Sequence, residues 1–192
     1  MAPARPRLVL ATGNAHKIGE VAAILPGWEV EGRDPDVEET GATFEENALL
    51  KARAVARGSG ELAVADDSGI EIDALGGAPG IHSARWAVEG DWIPRVLREL
   101  ADVATAQRGC RYVCAAAAVW PDGREIVVRG TVAGTVAEAP RGTGGFGYDP
   151  IMIPVEGDGR TFAELPAAEK HRLSHRGRAF RILAEHLASP PG

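Results

Sequence analysis

The apolar run Leu62-Ala63-Val64-Ala65 leads directly into Asp66-Asp67-Ser68-Gly69. The run reads as a buried strand, and the acidic pair that follows is set in a turn with a hydroxyl and a glycine. Two adjacent carboxylates at a strand end are costly unless positive charge sits beside them. A divalent cation is the usual solution, since hard ions such as Mg²⁺ take carboxylate oxygen. An Asx-type turn, in which the aspartates cap the next segment, fits the same residues.

A second signal lies near the N-terminus. The β-like run Arg7-Leu8-Val9-Leu10-Ala11 is followed by Thr12-Gly13-Asn14-Ala15-His16-Lys17, after which Ile18, Val21, Ala22 and Leu25 fall at helical spacing. Thr12 to Lys17 is thus a strand-to-helix turn. Such a turn aims free backbone N–H groups and the positive helix end at one spot, which suits phosphate. Thr12 and Asn14 add short polar side chains and Lys17 a point charge, although an ordinary helix start capped by Asn14 has the same appearance. The turn lacks the second glycine and the Gly-Lys-Ser/Thr end of a Walker A loop.

Two further clusters carry donors and rings. Gly142-Thr143-Gly144-Gly145-Phe146-Gly147-Tyr148-Asp149-Pro150 is a glycine-rich loop in which Phe146 suits stacking on a flat base, a contact worth roughly 1–3 kcal/mol. A flexible hairpin loop with Phe146 and Tyr148 tucked into the core is the other reading. Near the C-terminus, Lys170 precedes Ser174-His175-Arg176-Gly177. Ser174 resembles an N-cap, followed by a helix with Ala179, Ile182, Leu183 and Leu187 on one face. His175 and Arg176 then sit in the first turn, where positive charge opposes the helix dipole. Residues that break a local rule are candidates for function.

Composition bounds the classes. A chain of 192 residues with a 45% hydrophobic share suits one α/β domain over residues 1–192. The net charge of −6 disfavours a nucleic-acid binder held by bulk charge. No apolar run is long enough to span a membrane, and the first residues lack a signal-peptide core. Cys110 and Cys114 share one predicted strand, roughly 13 Å apart, too far for a disulfide. Buried thiols in a reducing cytoplasm are expected.

The predicted layout is a strand at Arg7–Ala11, a helix near His16–Leu25, a short strand near Trp28–Glu31, and a helix capped at Thr43 with the capping box Thr43-x-x-Glu46. Strands at Leu62–Ala65 and Ile70–Ala74 flank the acidic turn. A helix follows between Asp91 and Ala101, then a hairpin of Arg111–Trp120 and Glu125–Val136 around Pro121-Asp122-Gly123. Helices at Pro166–His171 and Ser174–Leu187 close the chain.

The clusters, with Glu39-Thr40-Gly41-Ala42-Thr43-Phe44-Glu45-Glu46-Asn47-Ala48 and Gly76-Gly77-Ala78-Pro79-Gly80 between them, resemble in order and separation the inosine triphosphate pyrophosphatase family, also called dITP/XTP pyrophosphatases. The resemblance runs from about Leu8 to Leu187. It implies an elongated two-lobed α/β fold around a mixed β-sheet with a central active-site cleft, usually a homodimer, acting in the cytoplasm on a purine nucleoside triphosphate, with no nucleic-acid or membrane partner. The implied reaction is hydrolysis of non-standard purine triphosphates (ITP, dITP, XTP) to the monophosphate and pyrophosphate, which clears them from the nucleotide pool.

The resemblance assigns roles. Glu39 and Asp67 are expected to hold Mg²⁺, with Asp67 also orienting or deprotonating the attacking water; Asp66 has a structural role open to it. Thr12, Gly13, Asn14, Lys17, Lys51, Ser68 and Gly69 are expected on the phosphates. Phe146, Gly147, Tyr148 and Asp149 form the base pocket wall, with Lys170, His175 and Arg176 as donors to the 6-oxo edge of hypoxanthine or xanthine. Two other readings remain at this level: a house-cleaning pyrophosphatase for modified pyrimidine nucleotides, and a nucleotide-binding sensor without turnover.

Overall fold

The computed structural model describes residues 5–88 and 91–188. Six strands form one mixed sheet in the order β2-β1-β3-β4-β5-β6: β1 (Arg7–Ala11), β2 (Glu29–Arg33), β3 (Ala63–Ile72), β4 (Gly109–Val119), β5 (Glu125–Val136) and β6 (Met152–Pro154). β1 runs parallel to both β2 and β3, with Leu8 opposite Val30 and Leu10 opposite Val64. β5 and β6 pair antiparallel, Val136 opposite Met152. Five helices accompany them: α1 (Ala15–Ile24), α2 (Phe44–Ser59), α3 (Trp92–Glu99), α4 (Ala167–Leu173) and α5 (His175–Ala188). The α/β class and mixed sheet agree with the sequence-based expectation. No helix among the described residues is long and apolar enough to cross a membrane.

Local signals act as expected where they are short-ranged. Thr43 Oγ1 accepts the Glu46 N–H at 3.1 Å and so caps α2, while the Glu46 carboxylate takes the Ala42 N–H at 2.6 Å. Gly60 ends α2 in the left-handed conformation, which carries no Cβ penalty at glycine. The hairpin closes through Gly123 N–H to Trp120 C=O at 3.0 Å. The short strand β6 was not anticipated.

Two differences change the site. First, β3 is one unbroken strand of ten residues through Asp66-Asp67-Ser68-Gly69, where the sequence suggested two strands and a turn. Membership of a strand that lies between β1 and β4 in the sheet overrides the turn preference of these polar residues. Gly69 also permits it: a Cβ there would strike the Gly80 carbonyl and the Ser83 hydroxyl, which itself accepts the Ile70 N–H at 2.9 Å. Second, on α5 it is Phe180 that is buried beside Ala179 and Leu183, whereas Ile182 is 39% exposed. Phe180 lies nearer the centre of the face set by Ala179, Leu183 and Leu187 than Ile182 does.

The fold divides into two compact units, residues 5–67, 114–130 and 176–188 in the first, and 68–113 and 131–175 in the second; β3, β4 and β5 supply residues to both. The first unit buries Leu8, Leu10, Val21, Val64, Phe180 and Leu183 around Cys114, Ala116 and Ala118. The small side chains of Ala115–Ala118, all fully buried, leave room for close packing on a central strand. The second unit buries Ile70, Ile72, Leu100, Tyr112, Ile151, Met152 and Phe162.

Candidate active site

In the first unit, β1 delivers the chain into the Thr12–Asn14 turn and α1 carries it away. Asn14 Oδ1 accepts the N–H groups of His16 (2.9 Å) and Lys17 (3.3 Å), so Asn14 is the helix cap, and Thr12 Oγ1 accepts the Asn14 N–H at 3.1 Å. The turn is therefore pre-formed by its own side chains. Lys17, in the first turn of α1, places its ammonium 3.1 Å from Asp66 Oδ2.

Strand alternation separates the acidic pair, because successive side chains of β3 leave on opposite faces. Asp66, 2% exposed, takes Lys17 and also Arg176, whose Nη2 and Nε stand 3.1 and 3.3 Å away. Arg176 Nη1 reaches Glu20 Oε2 at 2.5 Å, so one guanidinium holds carboxylates from α1 and β3. Burial by itself would raise the Asp66 pKa; Lys17, Arg176 and Lys51 outweigh it and hold the group well below the usual carboxylate range. Burial opposes the charge on Arg176, and Asp66 and Glu20 reverse that, raising its pKa.

Asp67 faces α2. Asn47 Nδ2 donates to its Oδ2 at 3.2 Å, and Lys51 Nζ donates to its Oδ1 at 3.3 Å and to Glu39 Oε1 at 2.7 Å. Asn47 Oδ1 in turn accepts the Gly41 N–H at 2.8 Å, tying the acidic loop to the helix. Burial pushes the Asp67 pKa up, Lys51 pulls against it, and Glu39 adds to the rise. Lys51 is shifted upward by Asp67, Asp66 and Glu39 in spite of its burial. Glu39 and Asp67, expected together from sequence, do converge on one cationic centre, the Lys51 ammonium. Glu39 and Asp67 present the hard carboxylate oxygens that suit Mg²⁺, around a point that the Lys51 ammonium fills in this structure.

The second unit brings the base-pocket candidates together. Asp149 is 3% exposed; its Oδ2 accepts from Lys170 Nζ at 2.7 Å and from the Phe146 N–H at 2.8 Å, and its Oδ1 accepts from Tyr112 at 3.2 Å. Lys170 Nζ also lies over the Phe146 ring, 4.8 Å from its centroid. Gly145 has φ +67, and a Cβ there would collide with the Asp149 carboxylate, so the loop requires glycine. Tyr148 donates to the Ser83 carbonyl at 2.7 Å and is buried. The His175 ring meets the Tyr112 ring at a centroid distance of 4.5 Å. The three donors expected at the start of the last helix thus differ in their partners: Lys170 engages Asp149, His175 meets Tyr112, and Arg176 engages Asp66 and Glu20.

Sequence reasoning passed over Glu20, Asn47, Ser83 and Tyr112. Glu20 carried no sign of burial: helical spacing puts it away from the face of Ile18, Val21 and Leu25, yet it is buried beside Arg176. Asn47 lies in a segment that carries the resemblance but was given no role, and Tyr112 carried no signal, since each acts on a residue far away in sequence.

The chain belongs to the Ham1 family, whose model matches residues 8–186. It is 55% identical over 190 residues to the dITP/XTP pyrophosphatase of Streptomyces coelicolor, covering 92% of this chain and 94% of that one. It is 52% identical over 188 residues to the dITP/XTP pyrophosphatase of Symbiobacterium thermophilum, covering 94% of each. Among solved structures it is similar to a HAM1 protein from Coxiella burnetii, with a TM-score of 0.83 and 38% identity over 95% of this chain and 98% of that one.

Proposed function

We propose that this protein hydrolyses non-standard purine nucleoside triphosphates of the ITP, dITP and XTP type to the monophosphate and pyrophosphate. The observation that carries the reading is the convergence of Glu39, Lys51 and Asp67, set on an acidic loop, a helix and a central strand, in a chain that shares more than half its residues with dITP/XTP pyrophosphatases.

Attack by water on the α-phosphorus forms one P–O bond as the α–β bridging P–O bond breaks, and pyrophosphate leaves. Cleavage of a polyanion needs neutralised charge, an activated water and fixed geometry. Asp67 is the base: its raised pKa brings it nearer neutrality, where a carboxylate accepts a proton more effectively. Asn47 and Lys51 fix its orientation. Lys17, Lys51, the Thr12–Asn14 turn, Ser68 and Gly69 bind phosphate oxygens. Glu39 and Asp67 would hold Mg²⁺, which supplies further charge neutralisation and acidifies a bound water.

Phe146 stacks on the base, and Lys170 and His175 donate to its 6-oxo edge, with Gly147, Tyr148 and Asp149 as wall. Adenine presents an amine there and leaves those donors unpaired, a penalty that gives strong discrimination. Arg176 takes part through Asp66 and Glu20, the carboxylates it holds. A cytoplasmic homodimer is part of the same proposal.

The test is pyrophosphate release over a panel of ITP, dITP, XTP, GTP, ATP and modified pyrimidine triphosphates, with and without Mg²⁺. Turnover confined to pyrimidine nucleotides, or binding with no turnover, would replace this reading. Light scattering reads the oligomeric state.

A further inference from the structure

Tyr112 stands in β4, outside every motif discussed above, and it is 5% exposed. Three of its contacts are with the second unit's candidate base site or its support. Its hydroxyl donates to Asp149 Oδ1 at 3.2 Å, while the other oxygen of that carboxylate holds Lys170 Nζ and the Phe146 N–H. Its ring meets the His175 ring at 4.5 Å with a 35° tilt. On another side it stacks on Phe162, with centroids 5.7 Å apart and planes 24° from parallel. Phe162 is itself 1% exposed and belongs to the core of the unit, so the tyrosine is braced by a rigid neighbour.

Such a hydroxyl has a specific use. Asp149 offers Lys170 an acceptor, and the position of that acceptor decides where the ammonium lies over the Phe146 ring. Lys170 and the Phe146 N–H restrain the Asp149 carboxylate at Oδ2, and a donor at Oδ1 narrows its rotation about Cβ–Cγ further. Tyr112 supplies that third donor, and it comes from a sheet strand rather than from the glycine-rich loop. The same residue limits the tilt of the His175 ring. One strand residue therefore sets the placement of two donors carried by different elements.

We propose that Tyr112 is a positioning residue for base selection, an inference that rests on the nucleotide reading above. It touches no substrate. It acts through Asp149 on Lys170 and through ring contact on His175, and its effect falls on 6-oxo purines because these alone accept from both donors.

The experiment compares kcat and KM for ITP, XTP and ATP in the wild type, Tyr112→Phe and Tyr112→Leu, with thermal melting of each. Tyr112→Phe keeps the ring and removes the hydroxyl. It is expected to melt close to wild type and to raise KM for ITP and XTP about five- to tenfold, with kcat within about twofold and ATP unchanged, as for a lost hydrogen bond to a charged group acting at one remove. Tyr112→Leu, which also removes the support of His175, is expected to narrow the ITP-to-ATP ratio further. A tyrosine that only fills the core would lower the melting point and reduce turnover of all three nucleotides by one factor; an unchanged ratio overturns the proposal. Should Tyr112→Phe fail to fold, Phe162→Leu, which loosens the brace of the Tyr112 ring and leaves Asp149, Lys170 and His175 in place, is read instead: the same narrowing supports the proposal and an unchanged ratio overturns it. A wild type without ITP turnover overturns both readings, whereas an active wild type with an unaltered ratio in the variants overturns only the role of Tyr112.

Discussion

Asp66 and Asp67 are joined by a peptide bond and serve different cations: Asp66 faces Lys17 and Arg176, and Asp67 faces Lys51. The separation follows from the pleat of β3, and it shifts the pKa values of two adjacent carboxylates in opposite directions, Asp66 down and Asp67 up. Environments that push neighbouring titratable groups apart divide structural from chemical work. Asp66 anchors Lys17 and Arg176, and Asp67 is the group to which the proposed function gives the proton transfer.

Replacing Asp67 by Asn keeps the shape and the Asn47 and Lys51 neighbours while removing charge and basicity. Turnover of ITP is expected to fall by at least about 100-fold, the lower range for a general base, with little change in the circular dichroism spectrum. Activity within a few-fold of wild type would remove Asp67 from the mechanism.

Lys17→Ala is expected to act twice. Loss of a lysine that meets the triphosphate raises KM and lowers kcat together, since charge is neutralised in both ground and transition states. Loss of the ammonium 3.1 Å from a buried Asp66 also costs stability. Urea titration and steady-state kinetics on the same preparation separate the two effects. Altered stability with unchanged kinetics would make Lys17 a partner of Asp66 alone.

Arg176→Ala leaves the buried Asp66 and Glu20 without their guanidinium. Breaking a buried pair from one side costs about 3–5 kcal/mol, so the urea midpoint is expected to drop markedly. Arg176→Lys is expected to recover only part of this, because an ammonium cannot offer Nε and both Nη groups to two carboxylates. On the folded fraction, kcat/KM should fall by one factor for ITP, XTP, GTP and ATP. A loss confined to ITP and XTP would instead place Arg176 on the base.

Cys110 and Cys114 are buried free thiols. Burial, with the charge of Asp73 adding to it, pushes the Cys110 thiol up to about 12. A group held neutral by the fold contributes stability that is complete below its unfolded pKa of about 8.5 and is lost as pH rises from there toward the folded value. The urea midpoint is thus expected to decline between about pH 8.5 and 12, and a Cys110→Ser variant should show a shallower decline. At pH 8 the native protein should be silent to a thiol reagent and the unfolded protein should react at both cysteines.

Sequence by itself determined the features whose cause lies within three or four residues. The Asn14 and Thr43 caps and the Gly123 turn follow from local hydrogen bonds and backbone freedom, and each is found where the pattern put it. The order of chemistry-bearing segments was legible too, and through the resemblance the pairing of Glu39 with Asp67; that Lys51 joins them was not. Tertiary structure alone decided the rest. Sheet pairing turned an apparent acidic turn into a continuous strand, and its period of two sent the two aspartates to opposite sides. Arg176 meets Glu20 across 156 positions of sequence, and Tyr112 meets Asp149 across 37. Such partners are invisible in a linear reading, because burying a charge demands a counter-charge but does not say which element of the fold will supply it.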